Sequence, residues 1–240
     1  GSDNTATGRS ALEDNTTGTM NSGFGVSALR NNTTGANNVA IGKDSAFTTT
    51  TGSYNVAVGT SSLYSNTTGA QNTAVGESSL NHNTTGGSNT GIGRFTLHYN
   101  TAGDYNTAVG RTALFLNTTG SNNTATGYDS LKSNTTGNQN VSLGNESLNR
   151  NTTGSWNTAV GSYALYANTT ATSNTGSGYK ALFANTTGSD NTATGRSALE
   201  DNTTGTMNSG FGVSALRNNT TGANNVAIGK DSAFTTTTGS

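Results

Sequence analysis

The sequence predicts an all-β fold, a parallel β-solenoid in which each coil is one 17-residue unit. The unit G-x-x-N-[TVS]-[AGS]-x-G-x-x-[AST]-L-x-x-N-T-T runs fourteen times from Gly1, with few departures and without insertion or deletion. Helix fits poorly because Gly and Asn recur every few residues and no 3.6-residue period survives. Only 29% of the chain is hydrophobic and 10% is charged. Such a chain folds only if stacked coils share a continuous thin core.

Each unit, with positions 1–17 counted from Gly1, contains two short segments that are predicted to be strands. Positions 4–7 contain β-branched residues and are followed by Gly, as in Asn55-Val56-Ala57-Val58. This pattern indicates a strand that ends in a turn. A second segment surrounds the Leu of position 12, as in Ser62-Leu63. The Asn-Thr-Thr-Gly sequence then closes the coil. We therefore expect two short strands per coil, each stacked in parallel on its copies.

Positions 4, 6, 8 and 12 vary little from unit to unit, which indicates a recurring local environment. Asn at position 4 predicts a ladder of side-chain amides from coil to coil, and Gly at position 8 predicts a positive φ or a close backbone approach. Position 6 holds only Ala, Gly or Ser, which implies that a neighbouring segment of the chain lies too close for a larger side chain. The Leu of position 12 is predicted to fill the core. Representative ladder residues are Asn55, Asn72, Asn106, Gly59, Gly76, Gly110, Leu63, Leu80 and Leu114.

The 17-residue units are themselves part of a longer sequence repeat. Residues 1–53 are identical to residues 188–240, at an offset of 187 residues or eleven units. We expect one solenoid domain over 1–240 that is a segment of a longer array; a recent duplication is the alternative. Fourteen coils at a strand spacing of about 4.8 Å would span roughly 65 Å.

Burial within one coil is too small to stabilise it alone. One Leu, one Val or Ile and one or two Ala contribute on the order of 3 to 5 kcal/mol. Ordering the coil costs about 1 to 2 kcal/mol for each residue. Ladder hydrogen bonds and contacts between chains must supply the rest, so the sequence favours a homo-oligomer or filament.

The strand motif resembles the N-[ST]-[VA]-[AIV]-G element of YadA-like head repeats, which occur in trimeric autotransporter adhesins and phage tail-fibre proteins. Matching segments include Asn38–Gly42, Asn55–Gly59, Asn72–Gly76 and Asn157–Gly161, and the resemblance recurs once per unit. It implies a left-handed β-roll, usually trimeric and displayed outside the cell for attachment. The chain departs from that family in its longer unit and in lacking the coiled-coil stalk and membrane anchor.

Composition and motifs argue against several other functions. A formal net charge of −1 with scattered Lys and Arg argues against nucleic acid and anionic membrane as partners. No apolar stretch approaches the roughly 20 residues of a membrane helix. Enzyme signatures are absent, so no catalytic residue and no cofactor is expected. His82 and His98 lie in neighbouring units without a third ligand, and no metal site is expected.

Asn-Thr-Thr matches the N-x-[ST] acceptor of N-linked glycosylation. The alternative is that Asn suits a tight turn and Thr the adjoining strand, so that the match is incidental. The third unit carries Thr49 at the Asn position, and Asn100 is followed by Thr101-Ala102, so the sequence places no acceptor in those turns. The candidate acceptors are Asn15, Asn32, Asn66, Asn83, Asn117, Asn134, Asn151, Asn168, Asn185, Asn202 and Asn219.

Two other ladders are candidate surfaces. Rows of Thr pairs such as Thr16-Thr17 raise the alternative of ice binding, although they lack the alternating pattern that points two Thr to one flat face. Aromatic residues recur at positions 13 and 3, where they favour a protein interface or a sugar-binding strip; packing at the coil edge is the alternative. The candidate interface aromatics are Phe47, Tyr64, Phe115, Tyr166, Phe183 and Trp156.

The sequence thus favours a non-enzymatic structural protein of an extracellular fibre, pilus-like filament or adhesive stalk that self-associates through stacked coils. The alternative is a cell-surface binding module, an adhesin head that binds surface glycans or other cells. Both place the chain outside the cell or at the cell surface.

Overall fold

The computed structural model describes residues 1–234 and shows an all-β, parallel β-solenoid with one coil per 17-residue unit. The chain forms two compact units, unit 1 over 1–121 and unit 2 from 122 onward. Below, unit 1 and unit 2 denote these two parts of the chain, whereas the fourteen units are the 17-residue repeats. Within the described residues there is no helix, and hence none that could cross a membrane. The prediction of a single domain stays a prediction.

Each coil contributes one strand of three residues, at positions 5–7. In unit 1, β1 to β7 are Thr5–Thr7, Ser22–Phe24, Val39–Ile41, Val56–Val58, Thr73–Val75, Thr90–Ile92 and Thr107–Val109. In unit 2, β8 to β14 are Thr124–Thr126, Val141–Leu143, Thr158–Val160, Thr175–Ser177, Thr192–Thr194, Ser209–Phe211 and Val226–Ile228.

Within each unit, consecutive strands pair in parallel and in exact 17-residue register. Val56 of β4 lies opposite Thr73 of β5, and Thr158 of β10 lies opposite Thr175 of β11. This register stacks each position of the unit on its own copies, so any feature of one coil becomes a row along the sheet.

The predicted second strand is wrong. Positions 10–13 form turns, and the residues at positions 10 and 12 are left-handed in every coil, as Ser61 (φ 53°) and Leu63 (φ 52°) are. The segment is nevertheless bonded to its neighbours, because the Leu63 N–H donates to the Ser79 carbonyl at 2.9 Å. We call positions 10–13 the turn segment. A left-handed residue cannot extend a β-strand, which is why the apolar Leu does not mark one.

The backbone of the turn segment explains why position 12 holds Leu, or Ala in two units, and never Val or Ile. A β-branched side chain at positive φ is a steric outlier, whereas Leu branches one atom further from the backbone. The Leu side chains of the ladder, including Leu63, Leu80 and Leu114, are fully buried.

The core is a thin layer between the strand and the turn segment. Position 6 is buried against the turn segment, and a Cβ added at Gly91 would lie 2.6 Å from Ser79 Oγ, so only small residues fit. The expectation that Val or Ile of each strand is buried is wrong. Because position 6 points inward, positions 5 and 7 point outward, and Ile41 and Ile92 are each 43% exposed.

Candidate functional site

Asn at position 4 forms a hydrogen-bonded ladder through the core, the first Asn ladder. The Asn55 side chain is typical: its Nδ2 donates to Asn38 Oδ1 at 3.1 Å and to the Gly69 carbonyl at 3.0 Å. The backbone N–H of Asn55 also donates to Asn38 Oδ1, at 2.9 Å. Asn72 and Asn106 make the same type of contacts. Each amide therefore links its own coil to both neighbours.

Asn at position 15 forms a second Asn ladder, which sequence reasoning missed. Asn83 Nδ2 donates to Asn66 Oδ1 at 2.8 Å and to the Gly86 carbonyl at 2.9 Å. The first Asn ladder uses that same carbonyl, because Asn72 Nδ2 donates to it at 2.9 Å. The two ladders thus converge on the carbonyl of position 1. The sequence signal for this ladder was that position 15 is nearly always Asn, but the same Asn also belongs to the glycosylation motif, which offered a competing interpretation.

The second Asn ladder contains the candidate glycosylation acceptors. Asn66, Asn83, Asn117 and the other interior members are fully buried, and Asn15 of the first coil is half-buried. Because the buried Nδ2 atoms donate hydrogen bonds inside the coil, an N-linked sugar there would break those bonds and would not fit. Glycosylation stays a prediction, and this geometry argues against it in the folded chain.

The coil over 35–51 interrupts the second Asn ladder. Thr49 replaces the Asn, and within residues 1–234 the buried Asn32 Oδ1 and Thr49 Oγ1 have no hydrogen-bond partner. The buried Ser45 Oγ of the same coil also has none, and Ala46 replaces the core Leu. An unsatisfied buried polar group costs about 1–3 kcal/mol, so this coil carries a destabilising cost that coils with an uninterrupted second Asn ladder do not.

Thr49→Asn is expected to stabilise unit 1 by about 1–3 kcal/mol, because the new amide can satisfy Asn32 Oδ1 and continue the ladder. The measurement is the thermal unfolding midpoint, together with hydrogen exchange in the flanking coils. Asn83→Thr, which introduces the same interruption into an intact coil, is the matched control and should destabilise by a similar amount. An unchanged midpoint and unchanged exchange for Thr49→Asn would show that the interruption costs nothing.

The Thr pairs divide into two different environments. The hydroxyl of Thr67, at position 16, donates to the Thr84 carbonyl at 3.0 Å, and Thr84 repeats the contact with Thr101 at 2.9 Å. The Thr of position 17, such as Thr68, is exposed. Because one Thr of each pair is turned into the ladder, the pairs do not form the doubled flat row on which the ice-binding alternative depends.

The outward side chains of positions 5 and 7 form what we call the sheet face. In all fourteen units these two positions hold Thr, Ser, Val, Ile, Leu or Phe, and no charged residue. In unit 1 an unbroken apolar row follows position 7 over six coils, and its side chains are half-buried or exposed: Phe24, Ile41, Val58, Val75, Ile92 and Val109. The alternation of large and small residues at positions 5–7 was the signal that could have shown this face.

Aromatic residues of position 13 stack on one another along the turn side of the coil. In unit 1 Phe47 stacks on Tyr64 with ring centroids 5.1 Å apart. In unit 2 Tyr166 stacks on Phe183 at 5.2 Å. Arg150 lies over the Tyr166 ring, with Cζ 5.0 Å from the ring centroid. All four rings are half-buried, so these residues pack against their own neighbours rather than presenting free ring faces.

His98 lies at the centre of an aromatic cluster in unit 1. Its ring stacks on Phe115 with centroids 5.3 Å apart and meets His82 edge-on at 5.0 Å. Burial lowers the pKa of His98 below its usual 6.5; the Ser78 carbonyl, 3.0 Å from Nδ1, opposes this effect, and the charge of His82 adds to it. The folded chain therefore favours neutral His98.

Unit 1 is expected to lose stability in acid through His98. Because the folded pKa lies below the unfolded one, the unfolded chain binds more protons as pH falls through 6.5, and stability is lost from there down to the folded pKa. His98→Phe, a residue that position 13 already accepts in Phe115, should flatten this dependence. The measurement is the unfolding midpoint at pH 7.5 and 5.5. If the midpoint falls equally between these pH values in the wild type and in His98→Phe, the assignment to His98 is wrong.

Position 3 carries isolated exposed side chains. Tyr54, Tyr105 and Trp156 are 62%, 65% and 61% exposed. Among residues 1–234, the structure shows no ring stacking or cation–π contact for any of these three. Trp156 therefore differs from the other candidate interface aromatics, which are stacked and half-buried.

No group of three or more His, Cys, Asp or Glu side chains within residues 1–234 is arranged to hold a metal ion. The sheet face and the exposed residues of position 3 are the candidate functional surfaces. Comparisons with protein-family models, with curated proteins and with solved structures returned no match.

Proposed function

We propose that this chain is a structural segment of an extracellular fibre or adhesive stalk and that its copies associate through the sheet face. The observation that carries the proposal is the uncharged row of apolar side chains in unit 1, from Phe24 to Val109, which faces outward from the sheet. Contiguous exposed apolar patches in soluble proteins mark interaction surfaces.

A second copy of the chain is the partner that fits this face best. The rows of the sheet face repeat at the strand spacing, so another copy presents rows with the same spacing and the same absence of charge. The core of each coil consists mainly of one Leu and one or two small residues, so association would supply burial that a single chain lacks. Homo-oligomers are the usual result of such self-complementary surfaces.

The resemblance to YadA-like head repeats supports the same proposal. Those repeats are β-rolls that associate around an axis outside the cell, and the solenoid described here has one short strand at the matching motif of every coil. We include the YadA-like identity, the left-handed coil, the trimer and the extracellular location in the proposal.

Charge placed on the sheet face is expected to abolish association. Val58→Lys with Val75→Lys puts two ammonium groups into the centre of the row, and burying unpaired charges is prohibitive. Light scattering coupled to size exclusion should give the wild-type chain a multiple of 24.1 kDa and the variant a single-chain mass.

The matched control places the same charges on an exposed position away from the sheet face. Thr68→Lys with Thr85→Lys changes position 17 of neighbouring coils, where both side chains are exposed, and should leave the oligomer intact. A wild-type chain that is monomeric at micromolar concentration, or a Val58/Val75 variant that keeps the wild-type mass, would refute association through this face.

The alternative of a glycan-binding surface module is favoured by a separate observation, the exposed rings of position 3. The ice-binding alternative lacks such support, because the Thr residues of position 16 direct their hydroxyl groups into the ladder.

A further inference from the structure

Tyr54, Tyr105 and Trp156, which we call the platform residues, have features that packing does not explain. Each sits at position 3 with a left-handed backbone, at φ 61°, 57° and 58°. A left-handed conformation costs an L-residue about 1–2 kcal/mol, and for a bulky one it is a steric outlier. These rings are exposed, so burial does not offset that cost.

The fold does not require an aromatic residue at position 3. Other coils place Asn37, Gln71, Ser88 or Asp190 there, with the same left-handed backbone. Asn tolerates this conformation best after Gly. Large exposed rings at a position where a small polar residue would suffice indicate a contact with something outside the chain.

The backbone holds the platform residues firmly in place. The Tyr54 N–H donates to the Ala36 carbonyl at 3.0 Å, and the N–H groups of Tyr105 and Trp156 make the equivalent bond at 3.1 Å. These bonds join each platform residue to position 2 of the preceding coil. A ring on such a fixed backbone loses little further backbone freedom when it binds a ligand.

Within each unit, exposed apolar side chains recur at position 3 after two or three coils. In unit 1 Met20 and Tyr54 are 34 residues apart and Tyr54 and Tyr105 are 51 residues apart; in unit 2 Trp156 and Met207 are 51 residues apart. Three coils correspond to about 14 Å at the strand spacing. Two platforms separated by two intervening coils do not form the contiguous apolar centre that a protein interface needs, but they can contact an extended chain at intervals.

The surface between the platform residues consists of polar side chains smaller than the aromatic rings and has no Lys or Arg. Between Tyr54 and Tyr105, position 3 holds Gln71 and Ser88, whose side chains hydrogen-bond at 3.2 Å. Positions 2 and 3 contain no Lys or Arg in any of the fourteen units, and their charged residues are aspartates such as Asp104. Amide and hydroxyl groups both donate and accept hydrogen bonds, while the lack of cations disfavours an anionic ligand.

We propose that the platform residues bind a neutral polysaccharide lying along the coils. The C–H faces of hexopyranose rings would pack on the aromatic rings, whose faces carry partial negative charge, and the sugar hydroxyls would hydrogen-bond to the amides and hydroxyls between them. This proposal goes beyond self-association and does not depend on it, because the platform residues are not part of the sheet face.

The test uses the full chain and defined polysaccharides. The neutral probes are hydroxyethylcellulose, galactomannan and dextran, and the acidic probes are alginate and polygalacturonate; binding is measured by affinity electrophoresis. Trp156 is the single tryptophan, so its fluorescence reports directly on sugar stacking in unit 2. We expect at least one neutral polymer to retard the chain and to shift the Trp156 emission, whereas the acidic polymers do neither.

The variant Tyr54→Ser, Tyr105→Ser and Trp156→Ser removes the platforms with a residue that position 3 already holds in Ser88. It should weaken binding of the retained polymer at least tenfold. The matched control Tyr128→Ser with Tyr179→Ser removes two exposed rings of position 9 and should bind as wild type does.

Three outcomes would overturn the proposal: no neutral polymer binds, the platform variant binds as tightly as wild type, or both variants lose affinity equally. Light scattering of the same samples keeps the two proposals separate, because loss of the oligomer in the platform variant would assign these rings to the protein interface instead.

Discussion

Gly76→Ala is expected to destabilise its coil by about 2–5 kcal/mol, combining a left-handed backbone with overpacking. Gly76 has φ 123°, and an added Cβ would lie 2.6 Å from the Gly93 carbonyl oxygen and 2.7 Å from its carbon. The obstacle is the backbone of the next coil, which cannot rotate away. Position 8 is Gly in all fourteen units, including Gly59 and Gly110, and every one of these glycines has a positive φ.

The readout is hydrogen exchange resolved by peptide, because repeat arrays unfold locally and a single midpoint averages over coils. Protection should fall in the coils on both sides of Gly76. The control is Gly87→Ala at position 2, where Ala36 and Ala70 show that other coils accept a methyl; the nearest atom to an added Cβ is the Ala70 carbonyl oxygen at 3.1 Å, and the effect should be clearly smaller. Equal effects of the two substitutions would refute the conformational explanation.

Asn72→Ala is expected to cost about 1.5–4.5 kcal/mol, because it leaves the Asn89 N–H without its acceptor and removes one of the two side-chain donors to the Gly86 carbonyl, where Asn83 Nδ2 remains. The Asn89 N–H loses its acceptor, Asn72 Oδ1, at 3.0 Å, and the Gly86 carbonyl loses the Asn72 Nδ2 donor at 2.9 Å. Both groups lie in the next coil, 86–102, so the loss should extend beyond the coil that carries the substitution.

Differential scanning calorimetry and hydrogen exchange would measure this loss. Gln71→Ala is the control, because Gln71 is exposed and adjacent in sequence; surface changes of this kind usually stay within about 0.5 kcal/mol. If Asn72→Ala behaves as Gln71→Ala does, the first Asn ladder does not stabilise the solenoid.

The period, the parallel stacking and the position of the strand could be predicted from sequence, because the 17-residue register is unbroken and Asn55–Gly59 has clear strand chemistry. The turn segment could not. Leu63 looks like the centre of a strand, yet it is left-handed, and backbone handedness at a non-glycine residue leaves little trace in composition. The absence of Val and Ile from position 12 was that trace.

The surfaces were harder to predict than the coil. The aromatic residues of positions 13 and 3 look alike in sequence, but Tyr64 is stacked and half-buried whereas Tyr54 is exposed. The sequence likewise could not decide whether Asn66 carries a sugar or a ladder bond, because the same Asn-Thr-Thr motif serves both purposes. Burial and hydrogen bonding, which depend on the neighbouring coils, separate these cases.

Electron cryo-microscopy of the assembled chain tests the central proposal most directly. The sheet-face proposal predicts particles with a layer spacing of about 4.8 Å, in which the sheet faces of neighbouring chains meet and the row from Phe24 to Val109 is buried. Chains that meet through the turn side, with the sheet face left in contact with solvent, would contradict it.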